Sequence, residues 1–332
     1  MASKQSEKIG VIGAGAWGTA LSNILAKNQN IILWAKEKNV CDNINKNHEN
    51  KRFLPKIKLS KKIKCTTEIL EVCSCDILFL VIPVQYLFLE LSKLKNSLNT
   101  KTIFVCCSKG LEMGSLKLPS QIVSSIFPKN KIAVISGPNF ASEIAKGLPA
   151  ATVVASKNAE VSEKIAKLIK SPTLRPYLSS DIIGSQIAGA LKNIYAIASG
   201  IVVGKKYGEN AVASIISRSF AEITLVAKSM DTKKNTLAGL SGMGDLFLTC
   251  SSKESRNFSL GIDLAKGKTL NEIIQKKFSI AEGAFTVRAL KKLADQKKLD
   301  LPINEAVYRV LYRKKNIDSA IQELLNRPIT KE

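Results

Sequence analysis

Histidine is almost missing from this chain. His48 is the only one in 332 residues, and it lies in the polar stretch NKNHENKRF. A histidine general base is therefore not expected, and proton chemistry falls to lysine or a carboxylate. The seven cysteines (Cys41, Cys65, Cys73, Cys75, Cys106, Cys107 and Cys250) are odd in number, lie mostly in apolar runs and lack paired C-x-x-C spacing. They read as reduced, buried thiols, and Cys73 with Cys75 does not make a metal site. The opening residues MASKQSEK contain no apolar stretch ahead of the first strand-like run, so no secretory leader is expected and a cytoplasmic location is. Only one segment is long and apolar enough to suggest a membrane span: Ile182 to Gly204, in which Lys192 is the sole charge. A central lysine costs roughly 2.5 to 3.5 kcal/mol on insertion. Gln186 and Asn193 add to that cost, so the segment reads as a buried helix and no integral membrane association is expected. Acidic residues are few, 27 against 50 Lys and Arg, for a net charge of +23. The lysines are scattered, and the densest stretches, Lys56 to Lys64 and Lys291 to Lys298, carry no interleaved aromatics. Nucleic acid is thus not the expected partner. The charge suits a solvated surface that attracts anionic metabolites.

The length points to two domains, because single cores stop growing near ~250 to 300 residues. Apolar runs recur at Ile9 to Ile12, Ile31 to Trp34, Ile77 to Ile82, Ile103 to Cys107, Ile132 to Ile135 and Thr152 to Ala155, mostly separated by helical or polar stretches. Their continuous rather than alternating polarity is that of buried parallel strands. After about Asp181 the period becomes helical, in Ile182 to Val203, Ala211 to Met230, Arg256 to Lys266, Glu282 to Gln296 and Asn304 to Lys314. We expect an α/β doubly wound sheet over residues 1–180, then an all-α domain over 181–332.

Residues 11–20, VIGAGAWGTA, place Gly13, Gly15 and Gly18 in G-x-G-x-x-G spacing, after a strand-like run and before a helical one. In that context the first glycine permits a tight turn, the second lets a pyrophosphate approach, and the third lets helix and strand pack closely. This makes the first domain Rossmann-like. Ligands of such sheets bind beyond the carboxyl ends of the strands. Lys109 falls there, after the apolar FVCC run, as do Gly137 and Asn139. In the helical half Lys192 shares a face with the small residues Ser185, Ala188, Gly189, Ala196 and Ser199, where something must approach closely. It anchors either a buried salt bridge or a functional ammonium. A second glycine cluster at Gly239, Gly242 and Gly244 presents Asp245, and Ser255, Arg256 and Asn257 open a helix. That trio suits a phosphate, through backbone N–H groups beside a guanidinium fork. The alternative is a helix cap with a solvent-facing arginine.

Taken together, VIGAGAWGTALS, KGLE at Lys109, ISGPNFASEIAKGLP, GALKNIYAIASGI around Lys192, LSGMGDLFLTC, SRN and the late AEG resemble the bacterial-type NAD(P)-dependent glycerol-3-phosphate dehydrogenases over nearly the whole chain. The resemblance implies reduction of dihydroxyacetone phosphate to sn-glycerol 3-phosphate with NADP or NAD as cofactor, for glycerophospholipid synthesis, by a homodimer. It further implies that Gly13, Gly15, Ala16, Trp17, Gly18, Lys36, Phe53, Lys109, Ala141, Arg256, Ile280 and Glu282 bind the cofactor. Lys109, Gly137, Asn139, Lys192, Asp245, Ser255, Arg256 and Asn257 would bind the substrate, with Lys192 as acid/base and Lys109 and Asp245 beside it in catalysis. Three positions depart from the family pattern: Asn139 where Ser or Thr is usual, Ala281 for valine and Lys36 for a frequent arginine. Another two-domain hydroxyacid dehydrogenase or a non-catalytic dinucleotide sensor are the competing readings. The acidic residue that reads the NAD ribose and the basic one that accommodates the NADP phosphate belong at the end of the second strand, where this chain has Lys36 and Glu37 side by side. Lys36, nearer the strand end, predicts that both cofactors work with a modest preference for NADPH.

Overall fold

The computed structural model describes residues 7–230, 232–276 and 281–329. Contacts divide the chain into two compact units, one built from residues up to Lys109 together with Leu118–Gln186, the other from Gly110–Lys117 together with the chain from Ile187 onward.

The first unit is built on eight strands: β1 (Ile9–Ile12), β2 (Ile31–Trp34), β3 (Ile63–Thr66), β4 (Ile77–Leu80), β5 (Ile103–Cys106), β6 (Ile132–Ser136), β7 (Ala150–Ser156) and β8 (Leu174–Ser179). They form one sheet in the order β3-β2-β1-β4-β5-β6-β7-β8. β1, β4 and β5 are buried at every residue, as their unbroken apolar sequences require of central strands. Two findings differ from the sequence expectation. The 152–155 run lies in a strand that pairs antiparallel with β6, the one antiparallel pair in the sheet. The edge strands β3 and β8 gave no apolar run: β3 exposes Lys64, and β8 carries Pro176 between exposed Arg175 and Tyr177. Edge positions tolerate proline and charge because one row of backbone groups needs no partner. β1 has β2 on one side and β4 on the other, so strand order reverses at β1. The loop after β1 therefore occupies the position where such sheets bind ligands.

The second unit is helical and is organised around the helix Ile182–Gly204, which is buried continuously from Ile187 to Val202. It is the one described helix long and apolar enough to cross a membrane, and 89% of its apolar window is buried inside the protein. The helix Arg256–Ala265 crosses it backbone to backbone. A Cβ on Gly200 would lie 2.1 Å from the Phe258 carbonyl oxygen, and one on Gly261 would lie 2.1 Å from that of Ile197. No side chain larger than hydrogen fits either position.

A buried carboxylate pins the same helix from another side. Glu222, in the helix Glu209–Lys228, is 3% exposed. It accepts the Tyr195 hydroxyl at 3.1 Å and the backbone N–H groups of Ile303 and Asn304 at 2.6 and 3.2 Å, at the start of the helix Pro302–Tyr312. Burial pushes its carboxyl up from 4.5 to about 7, against the pull of those three donors. The folded state then holds the proton more tightly than the unfolded chain. This contribution is complete below the unfolded value and is lost as pH rises through about 7. In urea titrations at about pH 5 and about pH 8, wild type should lose up to about 3 kcal/mol relative to Glu222→Gln. Parallel curves for the two proteins would show that Glu222 stays ionised throughout.

Candidate functional site

The glycine loop meets each requirement of a pyrophosphate turn. Gly13 has φ +118°, and a Cβ there would sit 2.9 Å from the Val81 carbonyl carbon. A Cβ on Gly18 would fall 1.8 Å from the Gly13 carbonyl oxygen, so the helix Ala16–Leu25 packs directly on the turn. Nothing lies within 4 Å of the Cβ position of Gly15. Gly15 is also the N-cap of that helix and supplies no side-chain cap. Its open face and the backbone N–H groups behind it make an anion cradle. Ala16 and Trp17 are the first two helical residues, and Trp17 packs, half-buried, on the sheet core together with Phe53. Lys36 follows β2, exposed, with its Nζ 5.7 Å from the Tyr86 ring centroid.

At the carboxyl ends of β5 and β6, Lys109 donates to the Gly137 carbonyl at 3.2 Å. This brings together two residues that the sequence places 28 positions apart. Asn139 donates to the carbonyls of Pro138 and Ala151, both at 2.9 Å, so its amide nitrogen serves the loop itself. Ala141 opens the short helix Ala141–Ala145.

In the helical unit Lys192 is 8% exposed and Asp245 is completely buried. The Lys192 ammonium pairs with Asp245 Oδ1 and donates to Thr249 Oγ1 at 2.8 Å. Thr249 donates in turn to the Asp245 carbonyl at 2.6 Å, one turn back along the helix Asp245–Ser251. Of the two sequence readings for Lys192, the salt bridge is present, and it holds the ammonium in a fixed direction. Thr249 was not anticipated from sequence. The available signal was its position four residues after Asp245 on a helix, which puts both on one face.

The Ser255 to Asn257 segment opens the helix Arg256–Ala265, and its side chains are engaged locally. Ser255 Oγ accepts the Phe258 N–H at 3.2 Å as an N-cap, and Asn257 Oδ1 accepts the Gly283 N–H at 3.0 Å. The hydroxyl thus performs the capping role weighed as the alternative. Arg256 is exposed at the first helical position, beside the remaining N–H groups. A Cβ on Gly283 would lie 2.6 Å from the Asn193 carbonyl, which sets Asn257 and Gly283 against the residue after Lys192. Glu282 begins the helix Glu282–Lys297, while Ile280 lies outside the described residues.

Family models described as the N-terminus and the C-terminus of NAD-dependent glycerol-3-phosphate dehydrogenase match residues 8–162 and 181–322. A curated glycerol-3-phosphate dehydrogenase (NAD(P)+) of Parvibaculum lavamentivorans is 42% identical over 98% of both chains. One of Caulobacter vibrioides is 43% identical over 98% of this chain and 99% of its own. The crystal structure of glycerol-3-phosphate dehydrogenase from Coxiella burnetii superposes with a TM-score of 0.94 at 33% identity, over 97% of this chain and 99% of that one.

The loop geometry makes Gly15 separable from its neighbours. Gly15→Ala has room for its methyl group and an ordinary φ of −68°. It should unfold within a few degrees of wild type yet bind NADH or NADPH at least about tenfold more weakly, since the methyl group occupies the anion's approach. Unchanged dinucleotide affinity by fluorescence titration would remove the cradle from the site.

Proposed function

We propose that this chain, which belongs to the NAD-dependent glycerol-3-phosphate dehydrogenase family, reduces dihydroxyacetone phosphate to sn-glycerol 3-phosphate with NADPH or NADH. The observation that carries this reading at the residue level is the buried Lys192–Asp245–Thr249 constellation. The bound dinucleotide supplies the hydride. The chain's own residues must then bind the phosphorylated ketone, orient it and manage one proton.

Reduction of the C2 carbonyl develops negative charge on its oxygen. The Lys192 ammonium can stabilise that charge and deliver the proton that completes the alcohol. Asp245 supplies the counter-charge of this ammonium and, together with Thr249, fixes the direction in which it points. Lys109, tethered to the Gly137 carbonyl, is a second cation at the ends of β5 and β6 and suits a polarised substrate oxygen. Arg256 and the N-terminus of its helix suit the phosphate, with Asn257 offering its amide N–H because its oxygen is already engaged. Phosphate binding remote from the carbonyl is then spent on positioning it. The cofactor-side residues Gly13, Gly15, Gly18, Ala16, Trp17, Lys36, Phe53 and Ala141 belong to the dinucleotide unit, and Glu282 and Arg256 to the helical one. We further propose a homodimer acting in the cytoplasm, in keeping with the family.

Lys192→Ala should lower kcat on the order of 10²-fold or more, the contribution of a positioned general acid, while dinucleotide affinity stays close to wild type. Full turnover in that variant would remove Lys192 from the chemistry. Arg256→Ala should raise KM for dihydroxyacetone phosphate by an amount equivalent to ~2 to 5 kcal/mol if the charge pair is desolvated, and leave the poor activity on unphosphorylated dihydroxyacetone where it was. An unaltered KM would reduce the segment to its capping role.

A further inference from the structure

Around the end of β2 the dinucleotide unit holds a second cation that the assignments above do not use. Glu37, the N-cap of the helix Lys38–Asn47, stands where an acidic residue would read a ribose 2′-hydroxyl. Its Oε1 lies 3.7 Å from a guanidinium nitrogen of Arg52, with both side chains about two-fifths exposed. The Arg52 guanidinium carbon lies 5.0 Å from the centroid of the Phe53 ring, so the fork rests on an aromatic face.

The arginine is also tied to the phosphate loop. Asn50, completely buried, donates to the Ala14 carbonyl and to Thr19 Oγ1, both at 2.8 Å. Its Oδ1 accepts the Phe53 N–H at 3.2 Å, and its carbonyl accepts the Leu54 N–H at 2.9 Å. The Asn50 side chain therefore fixes the 50–54 turn, and Arg52 with it, to the Gly13–Gly18 loop. Lys36, held against Tyr86, contributes a second positive charge one residue before Glu37. Two cations and one carboxylate surround the site, and the carboxylate already has a partner.

We propose that Arg52 is the specificity-determining residue for the 2′-phosphate of NADP, with Lys36 as its companion charge. In the free protein Glu37 keeps the guanidinium in place. When the 2′-phosphate is present, the planar fork turns to it and makes charge-assisted contacts that a bare 2′-hydroxyl cannot match. In the ligand-free protein the pairing also occupies the Glu37 carboxylate, which makes it a poorer acceptor for the 2′-hydroxyl of NAD. This inference rests on the dehydrogenase reading for the presence of the dinucleotide, but not for the identity of the ketone.

The test is equilibrium binding to the purified protein without any ketone: NADPH and NADH by nicotinamide fluorescence, and 2′,5′-ADP against 5′-AMP by calorimetry. Wild type should prefer 2′,5′-ADP to 5′-AMP. Arg52→Gln should lower the NADPH to NADH affinity ratio by roughly 10- to 100-fold, as expected for losing a hydrogen-bonded charge partner. Arg52→Lys should recover part of the ratio through charge without the fork. Glu37→Gln should strengthen NADPH binding by roughly two- to fivefold, the scale of a released surface ion pair. An unchanged ratio in Arg52→Gln would overturn the proposal, and so would a selective loss of NADH binding in Glu37→Gln, since the carboxylate would then be reading the ribose. Either result would leave the dehydrogenase reading standing, because no ketone is involved. Failure of the wild-type protein to bind any of the four ligands would overturn both.

Discussion

An ammonium cannot be taken out of water without a counter-charge and acceptors waiting for it, and the penalty otherwise is several kcal/mol per ion. The helical unit is arranged around meeting that demand for Lys192. Its helix is buried on every side from Ile187 to Val202, so the ammonium has to be met by Asp245 and Thr249 from another helix. Because removing either partner leaves an uncompensated buried charge, the pair holds Asp245–Ser251 in register with the long helix. Ser199, two turns further along, repeats the link by donating to the Cys250 carbonyl at 2.7 Å. The same burial pushes the Cys250 thiol well up, which keeps it a neutral packing group beside a cation that would otherwise favour the thiolate.

Close backbone approach does comparable work in both units. Between the helices Ile182–Gly204 and Arg256–Ala265 it brings the Arg256 helix start onto the Lys192 helix at Gly200 and Gly261. In the dinucleotide unit it brings the turn after β1 against the end of β4, while Gly15, of the three loop glycines, is left uncovered. A contact made with backbone rather than side chains leaves little rotamer freedom, which is the condition a catalytic ammonium and an anion cradle both need. Asn50 extends the principle by a hydrogen-bond relay, since one buried amide joins the loop to the segment that carries Phe53 and Arg52.

The surface charge of +23 sits largely outside these networks. Among the described residues most ion pairs, such as Lys205–Asp318 and Arg309–Glu323, lie on exposed or half-exposed side chains and contribute little individually. Their collective field favours anionic ligands approaching the protein, which suits a phosphorylated substrate and a dinucleotide alike. The proposed substrate site draws instead on the few cations fixed by the fold, among them Lys109 and Lys192.

Sequence alone determined the α/β then all-α order, because central strands must be continuously apolar and helices must repeat every 3.6 residues. It determined the tight glycine turn after β1, because three glycines at that spacing meet separate steric demands. It also singled out Lys192, because a lone charge among small residues is expensive without a purpose. The edge strands β3 and β8 escaped it, since an edge needs no apolar run, and so did the antiparallel turn of β7, since strand direction leaves no mark on composition. Only the tertiary structure decided which partners the charges meet. Thr249 joins Lys192 across 57 residues, Glu37 turns to Arg52, and Ser255 and Asn257 commit their oxygens to backbone N–H groups. Those choices depend on distances between segments far apart in the chain, and hydrophobic periodicity, a local property, carries no information about them.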